Sequence, residues 1–369
     1  LLDKDFLHKQ RAWFLSKHSG VCTGCSTGCN ISAEENKGRL WRLKPRNNPL
    51  VNDYWICDEG RSSYKHANDP ALLTAMYVRR VDDLLPTPPD QAIQAADQLL
   101  RQAVEQGGRV ALVLSPFLTV EEAYLLAQYA RNLSPSATLA LGPVPTRGED
   151  VTFQPDKIKG RTGDTTFLNP RPFTIHAEKC PNRNGVSMLL EHFQGEVVPY
   201  DSVRNSIESG AFSAVFLAMG AIEDWNTESQ AQAIRAGVKS VVLLDTRVTP
   251  LAHLADVVLS GATFAEKAGC YVNAQGRLQY AEAALPPRDG SLPDLDIAAI
   301  LAQRSEPGPI ASKSILVEIA QKVPAFANAA GGVIPRYGVA LRTPATPSTT
   351  PPPAPPFQDL WSFHRAERV

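Results

Sequence analysis

Cys22-Thr23-Gly24-Cys25-Ser26-Thr27-Gly28-Cys29, with Cys57 beyond it, sets four thiols in the spacing C-x2-C-x3-C-x27-C. Four thiolates brought together on one short loop need a cation or a cluster to offset their repulsion. Gly24 and Gly28 allow the loop to curl so that backbone N–H groups face the sulfurs. Three ligands close in sequence and one remote is the arrangement of a [4Fe–4S] cluster, and Cys22, Cys25, Cys29 and Cys57 are the candidate metal ligands. The alternatives are a zinc knuckle, which more often shows two separated C-x2-C pairs, or unmetallated core cysteines.

Close by, Lys37, Arg39, Arg42, Lys44 and Arg46 put five basic residues in ten positions, with Trp41 among them. Positive charge there would raise a reduced cluster's potential or meet an acidic partner. It could equally be a solvated hairpin edge kept from aggregating by its charge. Cys180 and Cys270 lack ligand spacing and read as buried small side chains. His66 and His176 read as hydrogen-bonded structural residues, because four Cys already complete a ligand set. The pairs Glu178-Lys179 and Glu266-Lys267 could serve a cofactor pocket, but read better as solvated loop charge or an ion pair between domains.

The elements that must position these residues follow from periodicity. Residues 3–17 place Phe6, Leu7, Ala12, Trp13 and Leu15 among charges, which predicts a short amphipathic helix with Asp3 as N-cap. Residues 18–66 form the iron–sulfur module, in which Asn30–Ala33 and Leu40–Leu43 flank Asn36-Lys37-Gly38 as a β-hairpin. Helix Pro89–Gln106, strand Arg109–Leu114, helix Thr119–Asn132 and strand Thr138–Leu141 follow. Residues 144–170 are polar and rich in Gly, Pro and Thr, so no regular structure is expected there. Strand Ala214–Met219, helix Thr227–Ala236 and strand Ser240–Leu244 resume the alternation. Apolar strands alternating with amphipathic helices predict an α/β fold with a parallel, Rossmann-like sheet over 67–342. Residues 343–356 hold seven Pro in 14 positions, a polyproline-like linker. The final 357–369 is apolar and aromatic again and reads as a partner-docking segment.

The 369 residues suffice for two or three domains, and 43% apolar with 20% charged composition supports a packed core. Lys plus Arg number 37 against 38 Asp plus Glu, a net charge of -1, so no excess of charge argues for nucleic acid. The uncharged apolar stretch Ala211–Ile222 has 12 residues, too short to span a membrane. The chain opens Leu1-Leu2-Asp3 without Met, so a processed or missing start is expected, and the residues given carry no signal-peptide pattern. No internal repeat appears. Neither G-x-G-x-x-G nor G-x-x-x-x-G-K-[ST] follows a strand, and no hydrolase motif is present.

The runs DKDFLHKQRAWFL, VCTGCSTGCNI and NPLVNDYWICDEGR resemble the large iron–sulfur subunits of bacterial respiratory complex I (NADH–quinone oxidoreductase), within the wider molybdopterin oxidoreductase family. FTIHAEKCPNRNGV at 173–186, LLDTRVTP at 243–250 and ADVVLSGATFAEKAGCYVNAQGRLQ at 255–279 extend the likeness over roughly 1–300. The resemblance implies that Cys22, Cys25, Cys29 and Cys57 hold one tetranuclear cluster. It also implies that the other subunits of a complex I-like peripheral arm are the partners, that membrane contact comes only through that complex, and that the place is the cytoplasmic side of the inner membrane. An N-terminal ferredoxin-like region with further clusters precedes DKDF in such subunits and is not in this chain. Molybdenum members commonly carry a Lys two residues after the fourth Cys, where Glu59 stands here. The C-terminal barrel of the full enzymes and a Cys or Ser ligand for molybdenum are also lacking. The expectation is therefore an electron-transfer and structural subunit with one [4Fe–4S] cluster, no molybdopterin and no catalytic site of its own. A short molybdopterin oxidoreductase of the formate dehydrogenase or nitrate reductase kind is the alternative.

Overall fold

In the computed structural model, residues 6, 9–81, 83–154, 157–159, 165–167, 172–304 and 309–341 are described. The cysteine module is a three-stranded antiparallel sheet in the order β1 (Ser16–Val21), β2 (Asn30–Asn36) and β3 (Arg39–Pro45). The predicted hairpin is β2–β3, turned at Lys37 and Gly38, both with positive φ. Helices α1 (Asp58–Ser62) and α2 (Tyr64–Ala67) lie over β3. Asn68, which ends α2, covers the β3 edge by accepting from Leu40 N–H at 3.2 Å and donating to Leu40 C=O at 2.6 Å.

The helix expected over 3–17 is not what the described residues form. They make one 3₁₀ turn at Ala12–Phe14, and Ser16 already pairs with Glu35 at the start of β1. Trp13 and Phe14 are 75% and 60% exposed and only Leu15 of the run 12–15 is buried, and a short helix with so little tertiary packing is marginal.

Strands β4 (Met76–Arg80) and β5 (Asp83–Thr87) form an edge hairpin, followed by α3 (Pro89–Glu105), β6 (Val110–Leu114), α4 (Val120–Leu133) and β7 (Thr138–Leu141). Within 144–170, where no regular structure is expected, the short strands β8 (Val151–Phe153), β9 (Lys157–Lys159) and β10 (Thr165–Phe167) appear. β8 pairs with β11 (Phe173–Ile175), and β9 with β10. The alternating Val151-Thr152-Phe153 run suits a strand once the remote Phe173-Thr174-Ile175 supplies its partner. Beyond these come α5 (Arg183–Gln194), α6 (Tyr200–Glu208), β12 (Ala214–Ala218), α7 (Glu228–Gly237), β13 (Ser240–Asp245) and β14 (Val257–Ser260). The last elements are β15 (Gly269–Val272), β16 (Arg277–Ala281), α8 (Asp294–Leu301), α9 (Pro309–Lys322) and β17 (Val339–Ala340). The Pro-rich and docking segments at 343–369 lie outside the described residues.

The central sheet runs β5-β4-β14-β13-β12-β6-β7, parallel from β14 to β7 and closed by the antiparallel hairpin. Its strands read as unbroken apolar runs because both faces are covered. Val110, Leu112 and Leu114 enter the core under α3, α4 and α8, while Ala111 and Val113 enter the one under α6 and α7. A second sheet, β15-β16-β17, meets the cysteine module where Glu282 N–H donates to Ser19 C=O at 2.8 Å. Gly269 is required where β15 crosses the Thr119 cap of α4, since a Cβ there would stand 2.7 Å from Thr119 Cγ2.

The Glu266-Lys267 pair is not solvated loop charge; of the two readings the structure takes the interface ion pair. Lys267 Nζ lies 2.9 Å from both Glu122 and Asp294, all three buried, which joins the starts of α4 and α8 to the loop before β15. Glu266 pairs with Arg288 and accepts from Thr263 N–H at 2.8 Å. Removing one member of a buried charge set leaves its partners uncompensated. Lys267→Met is therefore expected to destabilise the chain by about 3–5 kcal/mol, read as a lower urea midpoint; an unchanged midpoint would contradict this role for the ion set.

Candidate metal centre

The sheet ladder sets up the cysteine loop. Val21 and Asn30 are the last pair of β1 and β2, and Cys22 N–H donates to Cys29 C=O at 2.8 Å to close the eight-residue loop between them. Cys22, Cys25 and Cys29 are buried, whereas Cys57 is half-buried at the N-cap of α1. Its Sγ accepts from Gly60 N–H at 3.3 Å. Burial pushes Cys22 up to about 12 against the lowering effect of the Gly24 N–H, with Cys25 and Cys57 adding repulsion. Burial likewise raises Cys29, helped by Cys22, Cys25 and Cys57, and raises Cys57, helped by Cys25. Burial and neighbouring sulfurs thus oppose ionisation of Cys22, Cys29 and Cys57.

The surroundings fit a bound group. A Cβ on Gly60 would lie 2.9 Å from Cys22 Sγ and 3.5 Å from Cys57 Sγ, and one on Gly24 would lie 3.6 Å from Cys22 Sγ. The Thr23 hydroxyl between two of the cysteines is buried without a hydrogen-bond partner. Among the described residues no three His, Cys, Asp or Glu side chains are grouped to hold a single metal ion. A set of four thiols with N–H donors is instead the donor chemistry of an iron–sulfur cluster, whose ligands stand around a larger body.

Remote segments grip the loop. Ala274 N–H donates to Ser26 C=O at 2.8 Å, Asn273 Nδ2 to Thr27 C=O at 3.2 Å, and Gln279 Nε2 to Gly28 C=O at 2.9 Å. From another side, Glu178 C=O accepts from Ser26 N–H at 3.0 Å. Gly28, at φ +63°, has no room for a Cβ, which would come 2.9 Å from Asn273 Cβ. Behind it, Asn30, Asn48, Asn52 and Gln279 form a buried amide network, with Asn48 Nδ2 donating to Asn30 Oδ1 at 3.1 Å and Asn52 Oδ1 accepting from Asn30 N–H at 2.9 Å. Sequence reasoning missed these amides; the signal was present as Asn48 and Asn52 in the run leading to Cys57.

Glu59, two residues past Cys57, accepts from Lys179 Nζ at 2.8 Å and from Arg147 at 3.2 Å, and Arg147 also pairs with Glu223. These charges rim a cavity of about 430 Å³ that also touches Gly24, Phe117 and Trp225. It opens at the carboxyl ends of β6, β7 and β12, where the chain order of the sheet reverses, the usual place for a ligand crevice in an open α/β sheet. Lys179 is therefore bound into a charge network. Cys180 packs with Phe117 and Ala221, and Cys270 lies in β15 with its N–H on Glu121 at 2.8 Å. His176 pairs with Asp150 at 2.8 Å. In the basic run, Arg42 pairs with Glu34 at 2.6 Å, Arg39 stacks over Trp41, and burial together with Arg336 lowers Arg46. His66 is buried with Nδ1 unpartnered, and burial, reinforced by Arg247, lowers it to about 4.

Comparison with known proteins matches residues 15–69 to the molybdopterin oxidoreductase Fe4S4 domain and residues 161–304 to the molybdopterin oxidoreductase family. The G-type subunit of the Streptomyces coelicolor NADH-quinone oxidoreductase is 30% identical over 157 residues, 42% of this chain and 18% of that protein. Subunit 3 of the Thermus thermophilus NADH-quinone oxidoreductase is 33% identical over 133 residues, 36% of this chain and 17% of that one. The G-type subunit from Escherichia coli K12 is 36% identical over 118 residues, 32% of this chain and 13% of that one. Each match thus spans less than a fifth of the relative's length. Among solved structures, acetylene hydratase from Pelobacter acetylenicus superimposes with a TM-score of 0.45 at 9% identity, covering 78% of this chain and 69% of that one. The chain is thus similar to the molybdopterin oxidoreductase family and, within it, to the G-type subunits of NADH-quinone oxidoreductase.

Two outcomes follow from this geometry. Gly60→Ala is expected to lower iron retained per chain several-fold against the wild type under identical anaerobic reconstitution, and equal iron would show that the cradle is not tight. His66 binds its proton at about 4 when folded against 6.5 when unfolded, so its stabilising effect is complete above about 6.5 and is lost as pH falls toward 4. The full loss is about 3 kcal/mol; unfolding midpoints measured from pH 7 to 4 should fall less steeply in His66→Gln than in the wild type.

Proposed function

We propose that this chain is an electron-transfer and structural subunit of an NADH–quinone oxidoreductase-like assembly. Cys22, Cys25, Cys29 and Cys57 hold one [4Fe–4S] cluster, and the chain carries no molybdenum. The observation that carries the reading is the gathering of Cys22, Cys25 and Cys29, all buried, beside the half-buried Cys57, with Gly24 and Gly60 N–H groups on two of the sulfurs. A bound cluster supplies acceptance and release of one electron. The chain's residues do the rest: the thiolates fix the position, the amides stabilise negative charge on sulfur, and the Ile31, Leu40, Leu43 and Ile56 packing excludes water. The other subunits of a peripheral arm on the cytoplasmic side are the proposed partners, in keeping with the names of the relatives. No helix among the described residues is long and apolar enough to cross a membrane.

The crevice at the strand ends favours a second reading, a short molybdopterin oxidoreductase relaying electrons from a molybdenum or tungsten site to the cluster. Its lining weighs against an anionic, phosphate-bearing cofactor. Glu59, Glu223 and Asp224 face Lys179 there, and Glu59 already occupies both Lys179 and Arg147. Metal and sulfide analysis of anaerobically purified chain decides between the two. About four iron and four sulfide per chain without molybdenum or tungsten, together with loss of iron in Cys57→Ala, are the expected result. Stoichiometric molybdenum or tungsten would establish the second reading, and stoichiometric zinc without iron would overturn both.

A further inference from the structure

The Thr27 hydroxyl stands between a thiol and a carbonyl. Cys25 Sγ donates to Thr27 Oγ1 at 3.3 Å, and Thr27 Oγ1 donates to Thr174 C=O at 2.6 Å. Cys25 and Thr27 are both buried. A cysteine that ligates a metal has lost its proton, so the first of these hydrogen bonds cannot persist in the ligated state. A hydroxyl carries one proton and rotates freely to place it. With Cys25 ligated, that proton has two acceptors in reach, the neutral carbonyl and a charged sulfur, and hydrogen bonds to ionised acceptors are about twice as strong as neutral ones. Gly24 N–H serves Cys22 and Gly60 N–H serves Cys57; at Cys25 the hydroxyl is placed for the same role. The Thr174 strand is held independently, through its side-chain hydrogen bond with Thr152 at 2.9 Å and the β8–β11 ladder.

We propose that Thr27 is a positioning residue that turns its hydroxyl proton onto the ligating sulfur of Cys25 and thereby raises the reduction potential of the cluster. A donor on sulfur stabilises the more negatively charged reduced form over the oxidised one. The single electron comes from an external redox partner, and Thr27 keeps its proton throughout. This inference rests on the four-cysteine reading above.

The test is a dye-mediated redox titration of the anaerobically reconstituted full chain, followed by electron paramagnetic resonance. Iron and sulfide content are measured on the same samples. Thr27→Val keeps the side-chain shape and removes the proton; Thr27→Ser keeps the proton. A lower midpoint potential in Thr27→Val, a near wild-type one in Thr27→Ser and equal iron in all three are expected. A wild-type potential in Thr27→Val at equal iron overturns the inference and leaves the cluster reading standing, whereas wild-type chain that takes up no iron sinks the cluster reading itself. Should Thr27→Val not retain iron, electron–nuclear double resonance on reduced wild type and Thr27→Ser decides. A coupled exchangeable proton beyond those of the Gly24, Cys29 and Gly60 amides supports the proposal, and its absence overturns it.

Discussion

Three thiols inside one desolvated loop, with a fourth half-buried beside it, cannot all ionise unless something positive is bound among them, and much of the structure can be read from that constraint. Burial alone holds Cys22 and Cys29 as neutral thiols, and each neighbouring sulfur adds to the cost of charge. A cluster removes the protons and spreads the charge, but only if the loop keeps its shape when charged. Rigidity and inward-facing N–H groups are therefore the demands placed on the chain around residues 22–29 and 57–60.

The chain meets those demands with distant residues. The loop is short and glycine-bearing, so its own sequence supplies little stiffness. The β15–β16 turn holds it from one side through Asn273 and Gln279, and the segment at 174–178 from another. That turn sits on a small sheet whose first strand crosses the buried cap of α4. The Lys267 ion set then joins this region to α8. The α/β region thus acts on the cysteine site mechanically, as a frame fixing the far end of each hydrogen bond.

The same frame leaves a crevice at the strand ends, beside the cysteine loop. Its charges satisfy one another: Glu59 is tied to Lys179 and Arg147, and Arg147 to Glu223. A crevice whose cations are already committed offers little to a phosphate-bearing ligand. The position two residues past the fourth cysteine consequently belongs to an ion-pair network that links α1 to the loops after β7 and β12.

Local chemistry was legible without coordinates. The Asn36-Lys37-Gly38 turn and the two-sided apolar strands depend on neighbours in sequence or on period alone, so the hairpin and parallel sheet were readable. The failures share a cause. The segment at 3–17 looked like an amphipathic helix, but Ser16 and Lys17 already begin the strand that joins β2, a pairing that periodicity does not register. β8 is a strand because Phe173–Ile175 lies beside it. Glu266-Lys267 reads as either loop charge or an interface ion pair, because nothing nearby in sequence shows that Glu122 and Asp294 converge on Lys267 from 145 and 27 residues away. What the sequence by itself determined is the chemistry of the donors and the class of fold. Only the tertiary structure decided which remote amides hold the loop, which charges are buried and which hydroxyl faces Cys25, because each of these is a contact between residues that the chain order keeps apart.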